Sequence, residues 1–278
     1  MPDLVDSTVA ASTADGITVA AAPAGKRRDR YWLRLLATAT AFSLFGVGGL
    51  VLRFVLFPPL KFLYRDPALR QRKARDMVQG AFKTFIGFMH ITGIYTYRMH
   101  GEEKLREPGQ LVLANHPSLI DVVFLISRIP NANCIVKASL FRNPFMRGAV
   151  TTAGYIPNDD PEKIIAMAAA SLARGESVVL FPEGTRTVPG KELRLQRGAA
   201  YMALRAGVRP TLVTIRCNPP MLMKNVPWYS IPDSRPHFEF VISNGEQLIP
   251  LEDMQETPLA ARKITNQLKV YFTEERAA

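Results

Sequence analysis

A chain of 278 residues with 47% apolar side chains is long enough for one sizeable core and too ordinary in composition for a polytopic or broadly disordered protein. Its 35 Lys and Arg against 24 Asp and Glu give a formal net charge of +11, which points to a polyanionic partner: nucleic acid, an anionic membrane surface or a phosphorylated substrate. Two distant cysteines, Cys134 and Cys217, argue against a disulfide framework and against a structural zinc site.

Residues 1–25 are rich in Ala, Thr, Ser and Gly, contain no Lys or Arg, and read as a disordered tail. Residues 26–65 read as a basic and apolar membrane-anchoring segment. Lys26, Arg27, Arg28, Arg30 and Arg34 precede an uncharged run over 35–52, and Arg53, Lys61, Arg65, Arg70, Arg72, Lys73 and Arg75 punctuate or follow it. Basic residues flanking apolar sequence fit anionic lipid better than a nucleic-acid groove, and no zinc-finger or RNA-recognition spacing is present, so no nucleic-acid partner is expected. The run is about the minimum for a spanning helix. Both flanks are positive, which gives a spanning helix no clear orientation. A helix or helix pair dipping into one leaflet keeps both flanks on the cytoplasmic side and is the favoured reading, with a single span left open. Residues 67–92 alternate apolar and basic side chains at helical spacing. That segment lies either on the membrane or against the domain with a solvated basic face.

From residue 95 the pattern changes. Apolar runs at 95–99, 111–114, 133–137, 177–181, 211–216 and 238–243 read as strands. Helical stretches fall at 119–129, 144–152, 161–174, 196–206 and 258–273. The alternation predicts an α/β fold: a mixed, largely parallel sheet flanked by helices, behind an N-terminal membrane-associated helical segment. Such sheets carry their chemistry in loops at the carboxyl ends of strands, here just after Ala114 and just after Phe181.

The first loop reads Asn115-His116-Pro117-Ser118-Leu119-Ile120-Asp121. Residues five apart on an ideal helix lie roughly 140° apart around its axis, so a helical His116 does not meet Asp121. Pro117 disfavours the helical region at His116 and keeps it in the loop, from which its ring can fold back onto the carboxylate. A His held by an Asp is a general base. The competing reading is that Ser118 and Asp121 form a capping box and that His116 is an ordinary loop residue. The second loop reads Phe181-Pro182-Glu183-Gly184-Thr185-Arg186, followed by Lys191, Arg194 and Arg197. An arginine at that edge of the sheet can grip phosphate or carboxylate, although a surface turn with a local ion pair has the same residues.

Together, Asn-His-x-Ser-x-x-Asp and Phe-Pro-Glu-Gly-Thr-Arg resemble the glycerolipid acyltransferase family, which includes the bacterial lysophosphatidic acid acyltransferases. The resemblance covers roughly residues 90–250 and implies an acyltransferase domain over 66–278. It implies that His116 deprotonates the acceptor hydroxyl and Asp121 orients it. Asn115, Ser118, Glu183, Gly184, Thr185 and Arg186 then serve substrate binding. Residues 208–215 resemble the family's proline-containing block beside the acyl chain. The implied co-substrate is a fatty acyl thioester on coenzyme A or acyl carrier protein, with no other cofactor and no metal. The implied partner is a membrane lipid, at the cytoplasmic face of the inner membrane in a bacterium; the oligomeric state is open. The first acceptor is 1-acyl-sn-glycerol 3-phosphate. One departure keeps a specialised acceptor open, such as a lyso-ornithine or polyene-type lipid: Asn158 stands where the family has an Arg, and Asp159 and Asp160 follow it. Lys163 and Arg147 are the candidate replacements. A non-catalytic lipid-binding scaffold on the same fold is the reading from another class.

Overall fold

The computed structural model describes residues 30–188, 190–246, 248 and 255–277. The segment at 1–25, read as a tail, and the basic residues Lys26, Arg27 and Arg28 lie outside them. The strands are β1 (Thr96–His100), β2 (Leu111–Ala114), β3 (Ala132–Val136), β4 (Ile156–Pro157), β5 (Ser177–Leu180), β6 (Thr211–Asn218) and β7 (His237–Ser243). They form one sheet in the order β1-β7-β6-β2-β5-β3-β4. Every neighbouring pair is parallel except β6 with β7. The fold is the mixed, largely parallel α/β sheet that the alternation implies. The short edge strand β4 was not expected from the sequence, because two residues carry no periodicity.

The helices are α1 (Tyr31–Val51), α2 (Pro58–Leu63), α3 (Pro67–Ile91), α4 (Asp121–Arg128), α5 (Arg147–Thr152), α6 (Pro161–Ala173), α7 (Gly198–Ala206) and α8 (Pro258–Ala277). They sit on both faces of the sheet, and β2 shows why. Val112 and Ala114 join a core with α3 and α4, whereas Leu111 and Leu113 join a second core with α6, α7 and α8. Alternate residues of a strand face opposite sides, so a strand covered on both faces is apolar throughout. Local chemistry sets several helix starts. Asp66 accepts from the N–H groups of Ala68 and Leu69, with Pro67 as the first helical residue of α3. Asp160 does the same for Glu162 and Lys163, ahead of Pro161 in α6. An Asp cap followed by Pro is a strong start signal because Pro lacks the N–H that a first turn leaves unpaired.

The N-terminal segment extends further than its uncharged run. Helix continues past Arg53 as a π-helical turn over Leu52–Leu56 and into α2, so Tyr31–Leu63 is one run of 33 residues. Among the described residues it is the one helix long and apolar enough to cross a membrane. One face of α1 packs on the domain along its whole length: Arg34, Thr38, Ala41 and Gly49 are buried, and the Phe45 ring lies 5.9 Å from Phe82 and 5.0 Å from Phe85. At Gly49 the approach is so close that an added Cβ would overlap the Phe145 carbonyl. The opposite face leaves Trp32, Leu33, Leu36, Val47, Phe54, Val55, Phe62 and Leu63 exposed. Helix α3 takes the second of its two sequence readings. Ala74, Val78, Phe82, Phe85, Ile86 and Met89 are buried, and the helix packs between α1 and α4.

Two basic residues counted with the lipid-facing charge are interior. Arg34 is buried and donates to the carbonyls of Pro232, Asp233 and Ser234. Arg75 is buried in α3, where it donates to Ala153 O and Asn131 Oδ1 and pairs with Glu176 at 3.0 Å. Both were expected at the anionic surface. Interior carbonyls and a carboxylate hold them instead, since a buried guanidinium is tolerated only when its donors are satisfied.

Candidate active site

β2 and β5 are neighbours in the parallel sheet, so the loops that follow them emerge at the same edge. Residues 115–117 are in the loop and the helix begins at Asp121, two residues later than its apolar pattern suggested. From this position His116 Nδ1 lies 2.9 Å from Asp121 Oδ2. The backbone N–H of Ser118 donates to the same oxygen at 2.7 Å. One carboxylate oxygen of Asp121 thus holds both the turn and the imidazole. Ser118 Oγ does not complete a capping box, since it is buried with no protein partner. A carboxylate that accepts from Ser118 N–H accepts from His116 too, which fixes Nδ1 as the protonated nitrogen and leaves Nε2 with the lone pair.

Asp121 is fully buried, and the His116 side chain is 16% exposed. Burial pushes the Asp121 carboxyl above the usual carboxylate range, while His116 and the Ser118 N–H pull it back. The imidazole also lies flat on the Phe181 ring, with centroids 4.0 Å apart and planes 23° apart. Phe181 opens the second loop, so that loop orients the imidazole. Phe181 was legible as the opening residue of the second motif, directly after β5, but its stacking on His116 was not.

The second loop is tied to the first. Glu183 Oε1 accepts from the His116 N–H at 3.0 Å and from Thr187 Oγ1 at 2.6 Å, and the Thr187 N–H donates to His116 O at 2.7 Å. Gly184 makes the turn at φ 66°, a conformation that costs a residue with a Cβ. Glu183, Thr185 and Arg186 line an open cleft of about 440 Å³ with Lys191 and Arg194. Glu192, also on the cleft, is paired with Lys269 at 2.6 Å. Arg186, Lys191 and Arg194 outnumber Glu183 and the paired Glu192, so the cleft is cationic on balance.

Arg186 has a second attachment. Its Nη1 donates to Leu222 O at 2.8 Å and Met223 O at 2.9 Å, leaving Nε and Nη2 for another partner. Leu119 N–H donates to Leu222 O at 3.1 Å, so one carbonyl serves both loops. No sequence pattern marks Leu222, because the contact spans residues distant in the chain.

Other expected site residues are placed differently. Asn115 is buried, and its side-chain amide exchanges two hydrogen bonds with the backbone of Ile215, at 2.8 and 2.6 Å. It ties the end of β2 to β6. Ser118 is also buried. Neither residue lines the cleft formed by the second loop. Asn158 accepts from the Ala138 N–H at 3.1 Å and its own N–H donates to Val136 O, so it clamps β4 to the end of β3. Asp160 is spent on the α6 cap. Lys163 sits in the first turn of that helix and Arg147 opens α5. Lys137 follows β3 at the same sheet edge as Phe181 and is exposed. Cys134 and Cys217 are free, and burial pushes each thiol up to about 12, which keeps both protonated near neutrality. Among the described residues no three or more His, Cys, Asp or Glu side chains converge as metal ligands.

Residues 96–218 match the family model described as Acyltransferase. The chain is 27% identical over 180 residues to a 1-acyl-sn-glycerol-3-phosphate acyltransferase of Pseudomonas aeruginosa, covering 63% of this chain and 65% of that one. It is 34% identical over 102 residues to a protein of the same description from Helicobacter pylori, covering 34% of this chain and 43% of the relative. The chain thus spans less than two thirds of each of these curated relatives. The crystal structure of the 1-acyl-sn-glycerophosphate (LPA) acyltransferase, PlsC, from Thermotoga maritima superposes with a TM-score of 0.61 at 20% identity, covering 90% of this chain and 98% of that one. At that identity the likeness shows the fold.

Proposed function

On the premise that residues 96–218 form an acyltransferase-family domain, we propose that the chain moves a fatty acyl group from a thioester, on coenzyme A or acyl carrier protein, to a lipid hydroxyl. The observation that carries this reading is the 2.9 Å contact between His116 Nδ1 and the buried Asp121 carboxylate, which leaves Nε2 as the basic edge of the ring. His116 Nε2 takes the proton of the acceptor hydroxyl as its oxygen attacks the thioester carbonyl. The tetrahedral intermediate collapses, the carbon–sulfur bond breaks, and the imidazolium returns the proton to the thiolate. Asp121 holds the tautomer and stabilises the imidazolium while it exists. Asn115 and Ser118 position the loop, whereas Arg186 faces the acceptor from the cationic cleft beside His116. A lipid-binding scaffold without turnover has no use for a buried carboxylate held on an imidazole, so the dyad favours the enzyme.

The first acceptor is 1-acyl-sn-glycerol 3-phosphate, whose phosphate suits the free edge of Arg186 with Lys191 and Arg194. A specialised uncharged or zwitterionic lysolipid is the second reading, favoured by Asn158, whose side chain is occupied by Ala138 and gives the site no cation.

The N-terminal segment serves as an anchor lying in one leaflet. The run of α1 and the π-helical turn is held on the domain from Arg34 to Arg53, which donates to Pro144 O. A helix attached along its length cannot cross the bilayer without pulling polar loops into hydrocarbon. Lying in the interface, it presents Trp32, Leu36, Val47, Phe54, Phe62 and their exposed neighbours to lipid.

The test supplies the purified chain with acyl-CoA and a panel of lysolipids in vesicles, and identifies products by mass spectrometry. Phosphatidic acid formed by the wild type and lost in His116→Ala supports the first reading. Transfer confined to a lysolipid without phosphate supports the second. No transfer by a folded wild type to any hydroxylated lipid, from either donor, overturns both.

A further inference from the structure

Arg34 looks, in the sequence, like one more cation at the edge of an apolar helix. It is 4% exposed. Its Nη2 donates to Asp233 O at 2.6 Å and Pro232 O at 2.8 Å, and Nη1 donates to Ser234 O at 3.3 Å. Two turns on, the Phe42 ring meets Trp228, with centroids 5.8 Å apart. Both contacts hold the connection between β6 and β7 onto α1. The other end of that connection reaches the active site: Leu222 O receives Arg186 Nη1 and the Leu119 N–H, and Met223 O receives Arg186 Nη1. Leu222 adopts φ 53°, a left-handed conformation that a leucine keeps only when its surroundings hold it there.

We propose that Arg34 is a positioning residue for the acceptor site: it fixes the 219–235 connection on the anchoring helix, and that connection fixes Arg186 and the start of the dyad helix. The same helix that faces lipid thereby sets the geometry of the cleft. The proposal rests on reading Arg186 as the acceptor contact. With Arg34 removed, the 232–234 carbonyls lose three donors in a dry interface, so the connection loosens at its anchored end. The strain at Leu222 then relaxes, and the carbonyl shared by Arg186 and Leu119 drifts. A purely structural role for Arg34 lowers stability without singling out the acceptor.

The test uses the full chain with Arg34→Gln and, separately, Trp228→Ala, which loosens the same connection with Arg34 intact. The first readout is amide hydrogen exchange, independent of activity. Leu119 is expected to exchange about ten-fold faster in both variants while Val112 and Leu113 in β2 keep their protection. The second is kinetic: acceptor KM rises about five-fold with the thioester KM within about two-fold of wild type, and adding Arg186→Gln to Arg34→Gln costs little more than Arg186→Gln alone. Unchanged exchange at Leu119, or effects of Arg34 and Arg186 that multiply independently, overturns the proposal. A wild type that acylates no lysolipid refutes the proposed function instead, and exchange at Leu119 still decides the role of Arg34. If Arg34→Gln does not fold, Trp228→Ala decides by the same criteria.

Discussion

Replacing Asp121 by Asn removes one charge and nearly nothing else, and the surroundings dictate how the amide must sit. Two donors converge on Oδ2, the His116 Nδ1–H at 2.9 Å and the Ser118 N–H at 2.7 Å. Oδ1 is buried with no protein partner. An Asn with its NH2 on the Oδ2 side would face the Ser118 N–H, donor against donor. The amide oxygen is therefore pinned on that side, and His116 keeps Nδ1 protonated and Nε2 basic. Only the electrostatic support of the imidazolium is lost. Charge centres about 4 Å apart interact by about 4 kcal/mol at an effective dielectric near 20, which is roughly a 1,000-fold rate loss for full proton transfer and roughly 30-fold for half. Asp121→Asn is thus expected to lower kcat/KM by roughly 30- to 1,000-fold, followed by release of the thiol from acyl-CoA. The unpaired Nδ2 costs about 1–3 kcal/mol of stability, seen as a lower thermal midpoint. A loss of about 10,000-fold or more in a folded variant means the tautomer flipped and refutes the pinning by Ser118. A loss under about three-fold means the carboxylate does not support the base, and the dyad mechanism fails.

Further outcomes follow from the same geometry. Arg186→Ala should raise acceptor KM about ten-fold for an anionic lysolipid and leave an uncharged one nearly unaffected; equal KM values for both place the anion contact elsewhere. Glu176→Gln strands the buried Arg75 guanidinium and should cost about 3–5 kcal/mol in denaturant unfolding. Burial raises the Glu176 carboxyl, but Arg174 and Arg75 lower it further, so its folded pKa lies below the usual glutamate value. Its contribution is present above the unfolded pKa and lost as pH falls through the folded one, so acid unfolding of the wild type should carry a component that Glu176→Gln lacks. Gly49→Ala drives a Cβ into Phe145 O and should destabilise the protein by about 1–3 kcal/mol, measured by thermal unfolding; an unchanged midpoint refutes the close docking of α1.

The readable parts of the candidate site were those that a few adjacent residues decide. Pro117 keeps His116 off the helix by a clash within one peptide unit, which lets the ring fold back to Asp121. Asp66-Pro67 and Asp160-Pro161 start helices by the same kind of local rule. The motif residues at 183–186 fell at the correct sheet edge because alternating strands and helices fix which loops lie together. Asn158 was legible in type but not in contact, because its partner, the Ala138 N–H, lay twenty residues away in the chain.

Charge was the property that the sequence could count without locating. The same guanidinium that suits a lipid headgroup suits interior carbonyls, and nothing within a few residues of Arg34 or Arg75 separates the two. Arg34 finds its acceptors about two hundred residues later, at Pro232, Asp233 and Ser234. Phe181 on His116, Leu222 beneath Arg186 and the docking of α1 are of the same kind. Local sterics and periodicity, written in consecutive residues, set the strands, the helix starts and the His116–Asp121 pair. Which polar groups are buried, and what satisfies them there, is set by distant segments that meet only when the chain packs. That is why the meeting of His116 and Asp121 could be anticipated from neighbouring residues, while the contacts that hold them had to be seen folded.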